Sequence, residues 1–442
     1  MDMKIATDKY ISILESDISV VAKDFKAASE YLKTSSAVFT RGQLQFLAVP
    51  KLFTNDAYSV IESAAKTIYN ILDKVICRYL VDKEYRKLFP FSKQLENLIL
   101  TPCGYDVKLP IARVDIFFNE EDYSFKFCEF NADGASAMNE DRELVNAWKN
   151  SHIWREYTSE YNMQSFELFA SWVNTFLKIY SSYEGRVENP SVAIVDFLDI
   201  GTKSEFSVFK KAFECAGVSA RILDIRELKY KDGRLQTIDG QQIDAIYRRA
   251  VTSECIEHYD QIQDFINAVL DKKVCLIGGF RTQIIHDKNI FRILRMDQSK
   301  ELFTAQENAF IEEHIPMTFK LETNSFPVED VIDNKDKWLI KPANKYGSKG
   351  VATGGDYNLE EWIQIIKDRL DGEYILQEYC TPYKRENLFF ENDTPRYGEY
   401  NNMTGIFLYA GVVAGLYSRL TTERVTTTQN EGRVVCSLLV NK

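Results

Sequence analysis

The first hundred residues repeat apolar positions at intervals of three and four, as in Tyr58, Ile61, Ala65, Ile68 and Ile71-Leu72, which predicts amphipathic helices. The pattern changes at Ile111. The runs IARVDIFF and FKFCEFN mix apolar and polar positions with a period of two around an acidic turn. This predicts a β-hairpin whose turn is flanked by Asn119 and Phe125. Helical spacing returns after Asn139, through Glu143, Leu144, Trp148 and Trp154, then from Phe166 to Tyr180, and stops at a polar break over 181–190. From Ser191 short β-rich runs (192–197, 219–225, 244–249, 274–278) alternate with helical stretches near 204–216 and 257–271 and a charged hairpin over 226–242. That alternation predicts a small doubly wound parallel sheet. Beyond His286 come a helix over 287–295, the strand WLIKP at 338–342, a glycine-bearing loop, and a helix over 359–370. The strand EYILQEYC at 373–380 and glycine-spaced strands over 404–420, joined at Ala410-Gly411, complete a second α+β unit.

The expected division is a helical segment over 1–104, a hairpin with helices over 105–190, a parallel α/β domain over 191–286, and an α+β domain over 287–442. A chain of 442 residues suits about three domains. Its formal net charge of -11 argues against a general nucleic-acid or membrane-surface binder, because phosphate backbones demand a basic footprint. The eight cysteines include no CxxC pair and no His at zinc-ligand spacing, so they read as buried thiols of a reducing cytoplasm. The N-terminal MDMKIATDKY has no apolar core, so no secretory signal is expected, and the uncharged run from Met403 to Ser418 is short for a membrane span. The four histidines are scattered and form no nucleophile pair.

In the hairpin, pairing sets Asp115 opposite Glu129 and Arg113 opposite Asn131, all on one side. Facing carboxylates repel unless a hard cation lies between them, and Asn131 adds a neutral oxygen of the kind Mg²⁺ accepts. Arg113 would then be free for an anion. The alternative is a solvent-facing hairpin edge with two salt bridges. Lys341 ends an apolar strand five residues before Tyr346-Gly347-Ser348-Lys349-Gly350, where glycines would let backbone N–H groups approach phosphate oxygens. An exposed turn accounts for that loop equally well, and the spacing is not that of a P-loop. Gly201 stands alone after the first parallel strand, which disfavours a dinucleotide site. The strand Tyr374 to Tyr379 turns abruptly polar; it could present backbone groups to an adenine edge, or be an edge strand entering a loop. Arg248 and Arg249 end a sheet strand, where ligands gather in open α/β sheets, and a salt bridge to Asp244 or Glu254 is the alternative.

The order of these segments carries a resemblance. Lys288 in Asp287-Lys288-Asn289, the Ile315-Pro316-Thr318 turn, Ile340-Lys341-Pro342, the glycine loop and Gln377-Glu378-Tyr379 resemble the nucleotide half of the ATP-grasp superfamily. Ala112-Arg113-Val114-Asp115 with Cys128-Glu129-Phe130-Asn131-Ala132-Asp133 resembles the R-x-D and E-[YF]-N-A-D motifs of the glutathionylspermidine synthase family, whose ATP-grasp fold is circularly permuted. The likeness covers roughly residues 105 to 442. This chain departs from the family at Gly134-Ala135-Ser136, has Leu420-Thr421 after Arg419, and lacks the Cys/His amidase domain.

The resemblance implies an α/β and α+β chain: a permuted ATP-grasp fold with a small parallel pre-ATP-grasp domain and an N-terminal helical segment. It implies ATP-dependent joining of a carboxylate to an amine through an acyl phosphate, with ADP and phosphate released. Asp115, Glu129 and Asn131 would hold two Mg²⁺ ions, and Arg113 and Arg419 would act on the transferred phosphate or the substrate carboxylate. Lys288, Lys341 and the loop Tyr346, Gly347, Ser348, Lys349 and Gly350 would hold ATP phosphates; Gln377, Glu378 and Tyr379 would meet the adenine, and Ser136 and Glu140 the substrate. The expected partners are a small-molecule or peptide carboxylate and an amine, with no nucleic acid or membrane. A nucleotide-binding regulatory or scaffold protein without turnover, or a small-molecule phosphotransferase, is the alternative.

Overall fold

A computed structural model describes residues 2–39, 42–199, 203–345, 347, 350–425 and 432–442. Helices α1 (Met3–Ser16), α2 (Ile18–Thr34) and α3 (Asn55–Val81) dominate the first hundred residues, and strand β1 (Lys51–Thr54) interrupts them. The hairpin strands β2 (Ile111–Phe118) and β3 (Phe125–Asn131) follow, then α4 (Met138–Trp148), β4 (Asn162–Ser165) and α5 (Phe169–Ser181). The next unit holds β5 (Ser191–Asp196), α6 (Lys203–Cys215), β6 (Ser219–Asp224), β7 (Ala245–Arg248) and β8 (Cys275–Ile277). The last third contributes β9 (Thr318–Lys320), β10 (Trp338–Pro342), β11 (Ala352–Thr353), β12 (Tyr374–Glu378) and β13 (Lys384–Glu391). It ends with β14 (Thr394–Tyr409), β15 (Val412–Thr421), β16 (Arg433–Val435) and β17 (Ser437–Asn441).

Three sheets surround the site. The central one has the order β16-β15-β14-β2-β3, with β13 also paired to β14, so strands from the last fifty residues complete a sheet begun by the hairpin. The second, β8-β7-β5-β6, is wholly parallel, as the alternation of strands and helices predicts. The third, β9-β12-β10-β11, is antiparallel. A small sheet, β1-β17-β4, ties three distant segments together. The helical stretch expected over 257–271 is broken at Ile262, where φ is -121° and ψ 25°, and resumes as Gln263–Leu270.

One face of the central sheet is closed by α3. That helix runs 27 residues without glycine or proline, and its buried side (Ala57, Ile61, Ala65, Ile68, Leu72, Val75) shares a core with Val114, Ile116, Ile406 and Leu416. Helix α4 starts differently. Ala137 before it sits at φ 82° and offers no side-chain cap, so the N–H groups of Met138 and Asn139 donate to Glu205 on α6. A buried cluster fastens β1 to the interior strand β14 of the central sheet: Lys51 Nζ donates to Asn402 (2.8 Å) and Thr404 (2.7 Å), beside Glu120 and Arg385.

Candidate active site

The hairpin pairs Arg113 with Asn131 and Asp115 with Glu129, the register that the period-two pattern predicts. It reaches that register by a different route. At the turn Phe118, not Asn119, faces Phe125, and a bulge between Asp115 and Ile116 takes up the offset at Cys128. The bulge has a visible use. Lys341 Nζ, reaching over from β10, donates to the Cys128 carbonyl at 3.0 Å.

Arg113 lies along the strand surface and grips Asp115 with two bonds, Nε to Oδ1 at 2.7 Å and Nη2 to Oδ2 at 2.9 Å. Its other arm donates to the Ser136 carbonyl (2.8 Å), and Asn131 Nδ2 donates to Asp115 at 3.0 Å. Burial works against the Arg113 charge, and Asp115, with Tyr417 and Glu129 behind it, more than offsets that, so the guanidinium pKa is raised. Gly405 makes room for this pair. It stands between Asp115 and Tyr417 in the ladder, and a Cβ there would lie 2.8 Å from Arg113 Cδ and 2.9 Å from Asp115 Oδ1. Across that gap the Tyr417 ring receives two guanidiniums, Arg113 at 5.8 Å and Arg419 at 5.6 Å from its centroid. Tyr417 donates its hydroxyl proton to Glu140 on α4, and Arg419 Nε is buried without a partner among the described residues.

Lys288 and Lys341 converge on Glu129. Lys288 Nζ lies 3.0 Å from Glu129 Oε1 and donates to the Lys345 carbonyl at 2.6 Å. Burial alone would raise the Glu129 pKa, but the two lysines outweigh it and hold the carboxyl down to about 2. Lys341 is pushed down to about 8, by burial first and by Lys288 second, against the pull of Glu129. In the glycine loop, Gly347 and Gly350 adopt φ of 69° and 77°, and Gly347 lines the cavity. Tyr346, Ser348 and Lys349 lie outside the described residues. At the strand end Gln377 is buried and donates to Thr318 (2.8 Å), while Glu378 accepts from the Met317 N–H (3.0 Å). The Tyr379 N–H is donated to the Lys337 carbonyl at 2.7 Å. This strand end therefore has side chains and carbonyls, not that N–H, to offer a base.

These groups open onto one cavity of about 390 Å³. Lys288, Lys341, Pro316 and Tyr379 line one end, and the hairpin residues with Ser136 and Arg419 line the middle. Glu140, on Tyr417 beside Arg419, leads on to Glu205, Arg249 and Asp196, the last two at the carboxyl ends of the parallel strands.

Two anchors of this architecture are not evident in the sequence. Asp133 pairs with Arg248 at 2.6 Å, both about 1% exposed, and also accepts the Thr252 N–H, so the last residue of the E-F-N-A-D run bolts the hairpin to the parallel sheet. Arg249 pairs with Glu205 at 2.7 Å and bonds the Ala135 carbonyl. The arginine partners are thus Asp133 and Glu205, where local spacing suggested Asp244 or Glu254. Gly134 is required where it stands: its φ is 64°, and a Cβ would meet the Arg249 carbonyl and Val251 at 2.8 Å.

Among the described residues no group of three or more His, Cys, Asp or Glu side chains is arranged to hold a metal ion. Of the hairpin's oxygen donors on the cavity wall, Asp115 has both oxygens on Arg113, which leaves Glu129, held ionised, and the amide oxygen of Asn131 two residues on. One carboxylate and one neutral oxygen are a set that Mg²⁺ accepts when phosphate oxygens complete the shell. The donors therefore fit the ion.

A glutathione synthetase-like effector from Globodera pallida, solved in apo form, superposes on 95% of this chain and 97% of its own with a TM-score of 0.63 at 13% identity. The fold is ATP-grasp-like. D-alanyl-alanine synthetase A from Vibrio cholerae superposes on 57% of this chain and 75% of its own at 10% identity with a TM-score of 0.29. No protein-family model and no curated protein sequence matches the chain. Among the described residues no helix is long and apolar enough to cross a membrane. The likeness is one of backbone fold alone.

Proposed function

We propose that this chain is an ATP-dependent carboxylate–amine ligase that works through an acyl phosphate, on a permuted ATP-grasp scaffold akin to the glutathionylspermidine synthase family. The observation that carries the reading is the convergence of Lys288, Lys341, Glu129 and Arg113 from three separate segments on one cavity. Permutation is supported by chain order: the hairpin with Glu129 precedes the strands bearing Lys341 and Gln377, and β14 returns at the end to pair with it.

On this reading Lys288 and Lys341 hold the ATP phosphates, with Gly347 and Gly350 shaping a loop that shields them from water. Glu129 and Asn131 would hold Mg²⁺, which when bound neutralises charge on the β- and γ-phosphates. Asp115 has both oxygens on Arg113, so we assign it the orienting of that guanidinium rather than a third coordination position. Arg113 and Arg419 then face the substrate carboxylate and the phosphoryl group it receives, where charge accumulates. Excluding water matters because a hydrated acyl phosphate would be hydrolysed and ATP consumed without product. Gln377, Glu378 and Tyr379 border the adenine end.

The test is ADP release by purified protein with Mg²⁺, against panels of amino acids, peptides and small amines. Release that requires both a carboxylic acid and an amine supports the ligase; release with an acid or alcohol alone indicates a phosphotransferase, and none under any pairing indicates a binding protein. Glu129→Gln is expected to lower turnover by about 10²–10³ with the fold intact. Near-normal turnover would remove Glu129 from the site.

A further inference from the structure

Forming an amide from an ammonium requires that the nitrogen lose protons, and the wall of the cavity holds few groups able to take one. Asp115 is bound twice by Arg113, Glu129 is held ionised by two lysines, and Asp133 is closed by Arg248 and the Thr252 N–H. Glu205 is occupied by Arg249 and the start of α4, and Glu378 lies at the opposite end, on the Met317 N–H. His286 stands with Lys288 and Glu129 on the phosphate side, Asp196, beside Arg249, accepts the Phe197 N–H, and Glu254 is engaged as well. Glu140 differs from all of these. It lines the cavity, its protein partner is the neutral hydroxyl of Tyr417, and that same ring carries both Arg113 and Arg419.

We propose that Glu140 is the general base that takes a proton from the attacking amine, an assignment that rests on the ligase reading above. The ammonium gives one proton to the Glu140 carboxylate. The freed nitrogen lone pair forms the C–N bond at the acyl carbon, the C–O bond to phosphate breaks, and the second proton leaves on the departing phosphate. Helix α4 supports Glu140 from behind, and Tyr417 fixes the carboxylate's rotation while its other oxygen accepts no hydrogen bond from the described residues.

The electrostatics agree. Burial raises the Glu140 pKa to about 7, Glu205 on α6 adds to the rise, and Tyr417, Arg419 and Arg113 oppose it; Asp141, the adjacent acid on α4, turns instead to the Ser437 N–H. A base poised near the working pH has the best balance of ionised fraction and proton affinity. Its rate contribution should fall on the acid side, as pH drops through about 7 and the carboxylate is protonated.

Three small nucleophiles test this without knowledge of the natural amine: hydroxylamine, largely unprotonated at neutral pH, hydrazine, and methylamine, almost wholly protonated. With ATP, Mg²⁺ and the panel of amino acids and peptides as acids, wild-type protein should give the hydroxamate, hydrazide and methylamide. Glu140→Gln should lower methylamide formation by about 10²–10⁴, and hydroxamate formation at least tenfold less severely. Tyr417→Phe, which keeps the ring and removes the hydroxyl that favours the ionised carboxylate, should move the acid limb of the methylamide profile to higher pH. Equal losses on all three nucleophiles, no loss, or wild-type protein that accepts hydroxylamine but never methylamine would overturn the base assignment while leaving the ligase reading intact. Absence of hydroxamate from wild-type protein with every acid would instead overturn the ligase reading and the base with it.

Discussion

Gly405→Ala separates two opposed expectations. Gly405 is in the middle of β14 and has no positive φ, so its backbone suits any residue. At an unobstructed position of that kind alanine stabilises a protein by about 0.4–1 kcal/mol, because the unfolded chain loses freedom. Here the new Cβ would fall 2.8 Å from Arg113 Cδ and 2.9 Å from Asp115 Oδ1. Neither neighbour can yield cheaply, because Arg113 is pinned by Asp115 and by the Ser136 carbonyl and is only 6% exposed. Overpacking of this sort costs about 1–3 kcal/mol, which exceeds the entropic gain and reverses the sign. The displaced guanidinium should also cost about 10²–10³ in ADP release, as loss of an electrostatic contact does. Nucleotide binding, carried by β10, β12 and Lys288, should stay within about twofold of wild type on the same reasoning that distant sites are nearly independent. The assays are urea denaturation followed by tryptophan fluorescence, ADP release, and titration with a fluorescent ATP analogue. A raised urea midpoint with undiminished ADP release would refute the reasoning, since it would mean that the gap above Asp115 is not needed.

Asp133→Asn should destabilise by about 3–5 kcal/mol, because it strands the Arg248 charge where both partners are about 1% exposed; a loss below about 1 kcal/mol in denaturant would show that the clasp is dispensable. Lys341 predicts a pH dependence. Its pKa of about 8 means that the charge present below pH 8 is lost above it, and phosphate favours the charged form. Affinity for ATP should therefore be flat below pH 8 and weaken by up to about tenfold per unit above it. The Lys341→Met protein should bind weakly with no such slope, and a wild-type affinity constant from pH 7 to 9.5 would count against Lys341 as a phosphate contact.

The hairpin register is legible because it is local: alternation and an acidic turn fix which residues face each other, and Asp115 meets Glu129. The bulge at Cys128 is not legible, because the partner of its carbonyl is a lysine from another sheet. The parallel sheet follows from alternating strands and helices, whereas the small sheet of β1, β4 and β17 joins segments whose short runs carry no pairing signal of their own. Arg248 and Arg249 illustrate the same limit. Charge spacing offered the nearest acids in sequence, and the folded chain supplies Asp133 and Glu205 from other elements. Tyr417 reads as one more aromatic in an apolar strand, and only the empty position at Gly405 beside it reveals that two arginines share its ring.

The late return of β14 to the hairpin bears on how the chain folds as it leaves the ribosome. β2 has β3 on one side from early in synthesis, and its other edge stays open until residues near 405 have been made. Through that interval the apolar face of α3 can meet only half of the sheet that will cover it. Closure of so long a loop is slow, and an unpaired strand edge invites intermolecular pairing. Expression of fragments ending before β14 should therefore yield aggregates, and the arginine cluster at Tyr417 should be among the last parts of the molecule to gain protection from hydrogen exchange.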